Sequence, residues 1–240
     1  MLGETITVAG AGLAGYVAWG VRGRSAQVFG RSLWKGPASR RAIALTFDDG
    51  PSESTGRLLD LLARHGAKAT FCVIGFHVRR LPRVAARAAA EGHEIANHTD
   101  THPHLFLRSQ AFIVNQLERA QKSIEDATGA APRFFRAPFG SRWFGLDEAQ
   151  RRFGLTGLMW TDIARDWTLS AVDIDLRMRS RARPGAVFCF HDGRELTQNP
   201  DISNTLNALE FMLPAWRDAG YELVTASELF AGPVAEMNEE

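Results

Sequence analysis

The run Ala42-Ile43-Ala44-Leu45-Thr46 is short, almost wholly apolar and rich in β-formers, as a buried strand is. It stops at Phe47. Two adjacent carboxylates, Asp48 and Asp49, follow at once and are closed off by Gly50-Pro51, a turn signal. The two acids therefore stand where a strand ends and a loop begins, the place where open parallel sheets and β/α barrels keep their chemistry. Adjacent anions are costly unless a cation or a shared proton compensates. The plain alternative is a turn that happens to be acidic.

From Arg41 onward, β-like runs alternate with helical patterns. The strands expected are Ala42–Phe47, Lys68–Ile74, Glu94–Asn97, Arg133–Arg136, Leu155–Thr161, Ala186–His191 and Tyr221–Thr225. Helices are expected near Gly56–His65, Leu81–Glu91, Ser109–Thr128, Leu146–Phe153, Ala171–Arg181 and Asn204–Ala219. In Ser109–Thr128, Phe112, Leu117, Ala120 and Ile124 recur at helical spacing and Gly129 is a stop. About seven parallel strands with intervening helices make an α/β fold. No Gly-rich phosphate loop follows the first strand, so a distorted, incomplete (β/α) barrel fits better than a dinucleotide-binding sheet.

A length of 240 residues, 45% apolar and 23% charged, is that of a soluble globular chain with a sizeable core. A net charge of +1 gives no electrostatic case for nucleic acid. Cys72 and Cys189 lie inside apolar runs without metal-motif spacing, as buried free thiols do. Thr5–Val21 is uncharged and mildly apolar, but it is short of the ~20 residues that span a bilayer and contains four glycines. Residues 1–40 are expected to form a leader, dispensable for chemistry, whose residues 5–21 associate with a membrane or lie loosely packed. Arg22, Arg24, Arg31 and Lys35 behind it favour a cytoplasmic side, with a secreted or envelope location as the alternative.

The other strand ends are as polar as the first. Glu94–Asn97 runs into His98-Thr99-Asp100-Thr101-His102, where two histidines four apart fall on one face of a helical turn and can reach one metal ion. A carboxylate from another strand end completes a set of two His and one Asp, which leaves positions free for water and substrate. Arg136-Ala137-Pro138-Phe139-Gly140 places a charge at a strand end and a free backbone N–H at Phe139. Leu155–Thr161 leads through Asp162 to Asp166-Trp167, and Ala186–Phe190 runs into His191-Asp192-Gly193. Each could be a salt bridge or a turn; five of them at five strand ends are harder to set aside.

In order and spacing, TFDDGP, HTDTH, RAPFG, DIARDW and FCFHDG resemble the motifs of the NodB-homology polysaccharide deacetylases, carbohydrate esterase family four. The resemblance covers about Arg41 to Phe230. It implies a deacetylase domain over residues 41–230, a tail over 231–240, and a divalent metal, usually zinc with cobalt as another candidate. The reaction it implies is hydrolysis of the N-acyl group, most often acetyl, of an amino sugar in a glycan or glycolipid. Carried over, Asp49, His98 and His102 are the metal ligands and Asp48 is the general base. Arg136 orients Asp48, and Phe139 offers its N–H to the oxyanion. His191 is the general acid, Asp166 tethers it, and Trp167 lines the acyl pocket.

Those roles are what the chemistry needs. An amide is a poor electrophile, so a metal must polarise it and make water easier to deprotonate. A neighbouring Arg keeps the base ionised. An amine leaves only with a proton, which a protonated His supplies, and a carboxylate behind that His raises its pKa. The chain departs from the family pattern at Ile163, where an Asp often stands, at Phe139 in place of Tyr, and at Cys189 in place of Leu. The smaller Cys189 is expected to widen the acyl pocket. The competing readings are a deacylase of a non-sugar amide and a non-catalytic carbohydrate-binding relative; the second should have lost Asp48 or His191, and both are present.

Overall fold

The computed structural model describes residues 2–231, with side chains described from residue 12. The expected tail lies, from residue 232, outside the described residues. The strands are β1 (Ser32–Leu33), β2 (Ala42–Asp48), β3 (Thr70–Val73), β4 (Glu94–Asn97), β5 (Phe134–Phe135), β6 (Thr156–Leu158), β7 (Asp162–Ile163), β8 (Ala186–His191) and β9 (Glu222–Val224). They pair in the order β1-β6-β5-β4-β3-β2-β8-β7, with β9 joining beside β2, and every pairing is parallel. Strands β1 and β7 end the order, so the sheet is the incomplete (β/α) barrel expected. All seven expected strands occur. The two additional ones, β1 and β7, have two residues each, too few to carry a periodic signal.

The helices are α1 (Leu2–Arg22), α2 (Thr55–Arg64), α3 (Gly75–Arg80), α4 (Pro82–Ala90), α5 (Gln110–Thr128), α6 (Leu146–Phe153), α7 (Ala171–Arg179), α8 (Ser203–Asp218) and α9 (Ala226–Phe230). Local chemistry sets their ends. Ser109 caps α5 by accepting from the Phe112 N–H, and Gly129 stops it at φ 76°. Thr225 and Glu228 form a reciprocal capping box on α9. Among the described residues no helix is long and apolar enough to cross a membrane.

Strand β2 is buried along its whole length because both of its faces are covered. Ile43, Leu45 and Phe47 point outward into a large core shared with β8 (Ala186, Phe188, Phe190) and with the helices, through side chains such as Leu58, Met178 and Leu209. Ala42 and Ala44 point inward with Cys72, Ala96, Leu158 and Val187. Small inward side chains fill the barrel base. By the two-residue period, the next inward positions are Thr46 and Asp48 on β2, and Cys189 and His191 on β8. Polar groups thus collect at the carboxyl ends of adjacent strands.

The stretch expected as a leader contributes to this architecture. Beyond α1 the chain turns at Gly23, buries Ala26 and Phe29, and returns as β1. Ser32 and Leu33 of β1 are in register with Gly157 and Leu158 of β6. A strand this short is held by its ladder and by side chains far away in sequence, so it leaves no periodic pattern of its own.

Candidate active site

Asp48 ends β2, and Asp49 follows with φ 72°. That left-handed backbone turns the second carboxylate away from the first, so the neighbours serve different partners. Asp48 Oδ1 accepts 2.6 Å from Arg136 Nη1, which also donates 2.8 Å to Thr46 Oγ1, while Arg136 Nε donates 2.9 Å to Leu158 O. Arg136 is wholly buried. Burial alone would raise the Asp48 pKa, but Arg136, with His98 and His191, outweighs it and holds the carboxyl below its ordinary value.

Asp49 Oδ1 lies 3.3 Å from His98 Nε2 and 3.1 Å from His102 Nε2. One ligand atom from each of the three residues falls within 4.8 Å of the others. His98 Nδ1 donates 2.8 Å to Arg136 O, which leaves its Nε2 lone pair facing Asp49. Asp49 Oδ1 is buried and makes no hydrogen bond in the protein. Burial, reinforced by His98, pushes the His102 pKa down to about 4, so the ring is neutral at pH 7. Burial would raise Asp49 too, but the two imidazoles outweigh it and the carboxyl stays ionised. Two imidazole nitrogens and an orphaned carboxylate oxygen converging on one point fit a divalent metal.

The two histidines do not meet on a helical turn, contrary to the spacing argument. Thr99 and His102 both have positive φ, at 67° and 56°, and the segment is a loop. Its shape is imposed from below. Asn97 Oδ1 accepts from Thr99 N, and Gln116 Oε1 on α5 accepts from Asp100 N and Thr101 N. Buried Asp100 pairs with Arg79 at 2.6 Å and Arg119 at 2.8 Å.

Across the cleft, His191 ends β8 in register with Asp48. Its Nδ1 lies 2.8 Å from Asp166 Oδ1, and Asp166 Oδ2 accepts from His191 N and Thr205 Oγ1. Burial would lower the His191 pKa, but Asp166 overrides it and carries it up to about 9. Trp167 packs edge-on to the imidazole at 5.0 Å. Phe139 holds φ 56°, stacks on His104 at 3.9 Å, and its N–H has no partner among the described residues. A cleft of about 440 Å³ joins Asp48, Asp49, His98, His102, Phe139, Trp167 and His191.

Cys189 and Asp162 lie apart from the cleft. Cys189 does face inward, but it is fully buried one layer below the cleft, outside its lining. Its thiol donates to Asp48 Oδ2 at 3.4 Å, so the room left by a side chain smaller than Leu lies beneath Asp48 and not along the cleft lining. Asp162 pairs with Arg181 at 3.0 Å and Arg183 at 2.8 Å on the sheet edge, and Ile163 lines the cleft instead.

Several participants went unnoticed in the sequence. Asn97, Gln116 and Asp100 shape the histidine loop, and Thr205 braces Asp166. Asp192 is buried beneath the site, where Thr55 donates 2.6 Å to it. Only Asn97 and Asp192, at the ends of runs already read as strands, carried a local signal; the others act across long sequence distances.

With this geometry in hand, the comparisons agree with one another. Residues 35–158 match the family described as polysaccharide deacetylase. A chitooligosaccharide deacetylase of a Bradyrhizobium species is 37% identical over 76% of this chain and 88% of that protein. The peptidoglycan-N-acetylglucosamine deacetylase PgdA of Listeria monocytogenes is 34% identical over 80% of this chain, which spans 39% of that longer protein. Among solved structures, the Bc1960 peptidoglycan N-acetylglucosamine deacetylase superposes with TM-score 0.78 at 30% identity, covering 84% of this chain and 94% of that one. BA3943 from Bacillus anthracis, described as a family-four carbohydrate esterase pseudoenzyme, gives 0.75 at 28% identity over 82% and 68%. The chain belongs to the polysaccharide deacetylase family.

Proposed function

We propose that the protein hydrolyses the N-acetyl group of an amino sugar within a glycan, with one divalent metal ion, zinc by preference, held by Asp49, His98 and His102. The observation that carries this reading is the buried, unpartnered Asp49 Oδ1 facing two imidazole nitrogens, between the Asp48–Arg136 pair and His191. A bound ion would polarise the amide carbonyl and make a water easier to deprotonate. Two imidazoles and one carboxylate suit zinc, and cobalt fits the same set.

The chain's own groups supply the remaining steps. Asp48, held ionised by Arg136, takes the proton of the attacking water. Arg136 keeps its carboxylate oriented and has no hydrogen left over for substrate chemistry at Nη1, which is shared with Thr46. The free Phe139 N–H is available to the oxyanion that develops on the carbonyl oxygen. His191 is tied at Nδ1 to Asp166, so the proton it gives to the departing amine sits on Nε2. Trp167, beside that imidazole, borders the acyl group.

The relatives act on chitooligosaccharides and peptidoglycan, which supports an N-acetylglucosamine-containing glycan as substrate here. The test is incubation of the zinc-loaded protein with N-acetylglucosamine oligomers, with released acetate and new primary amine measured together. Equimolar acetate and amine are expected. Absence of both from neutral and charged glycans alike would refute the reading, and release from N-formyl sugars alone would correct the acyl group.

A further inference from the structure

The end of α1 is clasped by a buried cation. Arg142 is 2% exposed, and no carboxylate pairs with it among the described residues. Its backbone N–H donates 3.1 Å to Val21 O, and its guanidinium donates to Gly23 O, to Ala26 O at 2.6 Å and to Ser32 Oγ at 3.2 Å. Burial lowers its pKa to about 10, so it remains charged at neutral pH. Around this clasp Phe29 packs edge-on against Phe144 at 4.8 Å and tilted against Trp143 at 5.4 Å. Arg24 donates to Thr161 O, next in the chain to Trp160 of the cleft lining. At Gly23 an added Cβ would lie 2.6 Å from Trp19 O, so the turn that ends α1 has no room for a side chain.

The consequence lies at the cleft. This clasp fixes the last turn of α1 so that Arg22 lines the same cavity as Asp48, His191, Trp160 and Trp167. Arg194 enters the lining from the loop after β8. Neither arginine forms an ion pair among the described residues. The acids that share the cleft face elsewhere: Asp48 pairs with Arg136, and Asp49 turns Oδ1 toward the two imidazoles while its Oδ2 accepts from Glu195 N. Glu195 is exposed and forms no ion pair with either arginine among the described residues. Two unpaired guanidiniums at the mouth of a cleft that takes a glycan are placed to receive a negative charge on that glycan.

We propose that Arg22, positioned by the Arg142 clasp and seconded by Arg194, selects N-acylated amino sugars that carry an anionic carboxylate or phosphate on an adjoining unit. This rests on the deacylase reading for the identity of the glycan. The segment that delivers Arg22 precedes the matched family region at residues 35–158, so the selection belongs to this chain's own N-terminal wall.

Binding and turnover separate the two claims. Zinc-loaded Asp48→Asn protein, which holds ligand without turning it over, is titrated calorimetrically with three oligomers of equal length. One is neutral N-acetylglucosamine, one carries lactyl carboxylates on alternate sugars, and one carries a terminal phosphate. At least one charged oligomer should bind about tenfold or more tightly than the neutral one, the range for a charge-assisted hydrogen bond. Adding Arg22→Ala should remove most of that ratio while leaving the neutral Kd within about twofold. Arg22→Lys should keep part of it, since a point charge replaces a fork. Which charged oligomer shows the effect identifies carboxylate or phosphate. An unchanged charged-to-neutral ratio in Arg22→Ala overturns the proposal. A ratio that collapses as expected, in a protein whose wild type releases no acetate, would keep this inference and refute the deacetylase reading.

Discussion

Asp48 and His191 are register partners on adjacent parallel strands, and their environments push their protonation in opposite directions. Arg136 holds the carboxyl below its ordinary pKa against the effect of burial, and Asp166 lifts the imidazole to about 9. At neutral pH the pair therefore presents an ionised carboxylate and a protonated imidazole on the two sides of one cleft, the states that the proposed base and acid require. A two-step amide hydrolysis asks for that combination.

The pH–rate profile follows. A group with a raised pKa is protonated below that value and loses its proton as pH climbs through it, so the alkaline limb should fall near pH 9. Asp166→Asn removes the anion that supports the imidazolium, leaving burial to lower it, and the limb should move to lower pH. A limb that stays in place in the variant would assign it to another group.

Arg136 is a buried charge whose donors go to Asp48, Thr46 and Leu158 O. Arg136→Met strands the Asp48 carboxylate and should cost roughly 3–5 kcal/mol in unfolding free energy, as when one partner of a buried pair is removed. Chemical denaturation of the variant checks this. A loss under about 1 kcal/mol would mean that solvent reaches the pair.

Cys189→Leu separates the pocket expectation from the observed position. Leu at this fully buried site overpacks the layer beneath Asp48, so about 1–3 kcal/mol of stability should be lost. Turnover should drop on N-acetyl and N-propionyl sugars by the same factor. Selective loss of the propionyl activity would restore Cys189 to the acyl pocket.

Truncation discriminates between leader and wall. Deleting residues 1–18 leaves the Arg142 clasp intact and should preserve the fold. Deleting residues 1–31 removes Val21 O, Gly23 O and Ala26 O from a buried guanidinium, and takes Phe29 away from Trp143 and Phe144. That deletion should lower stability by roughly 3–5 kcal/mol, the range for leaving a buried charge without its partners. Equal melting temperatures for the two truncations would show that residues 19–31 are a leader after all.

What was legible in the sequence was what repeats or sits at a boundary. Strand β4 has the same limits by pattern and by structure, as does β8, because each ends in a polar residue after an apolar run. Asp48, Asp49, His98, His102, Arg136 and His191 were visible for the same reason, at strand ends. The backbone that aims them was not. Positive φ at Asp49, Thr99, His102 and Phe139 is enforced by contacts such as Gln116 to Asp100, sixteen residues apart, and no local propensity encodes it. Strands β1 and β7 were too short for a period. Arg142 carries no local signal, because its carbonyl partners lie more than a hundred residues earlier in the chain.

The division of labour between the neighbouring carboxylates is the central claim, and metal content measured together with turnover tests it most directly. Asp49→Asn, His98→Ala and His102→Ala should each lose bound zinc, whereas Asp48→Asn should keep close to one zinc per chain while turnover falls by ~10² or more, the range for removing a general base. Zinc retained in Asp49→Asn and lost in Asp48→Asn would reverse the two roles, and full turnover in a protein shown to be metal-free would contradict the metal site altogether.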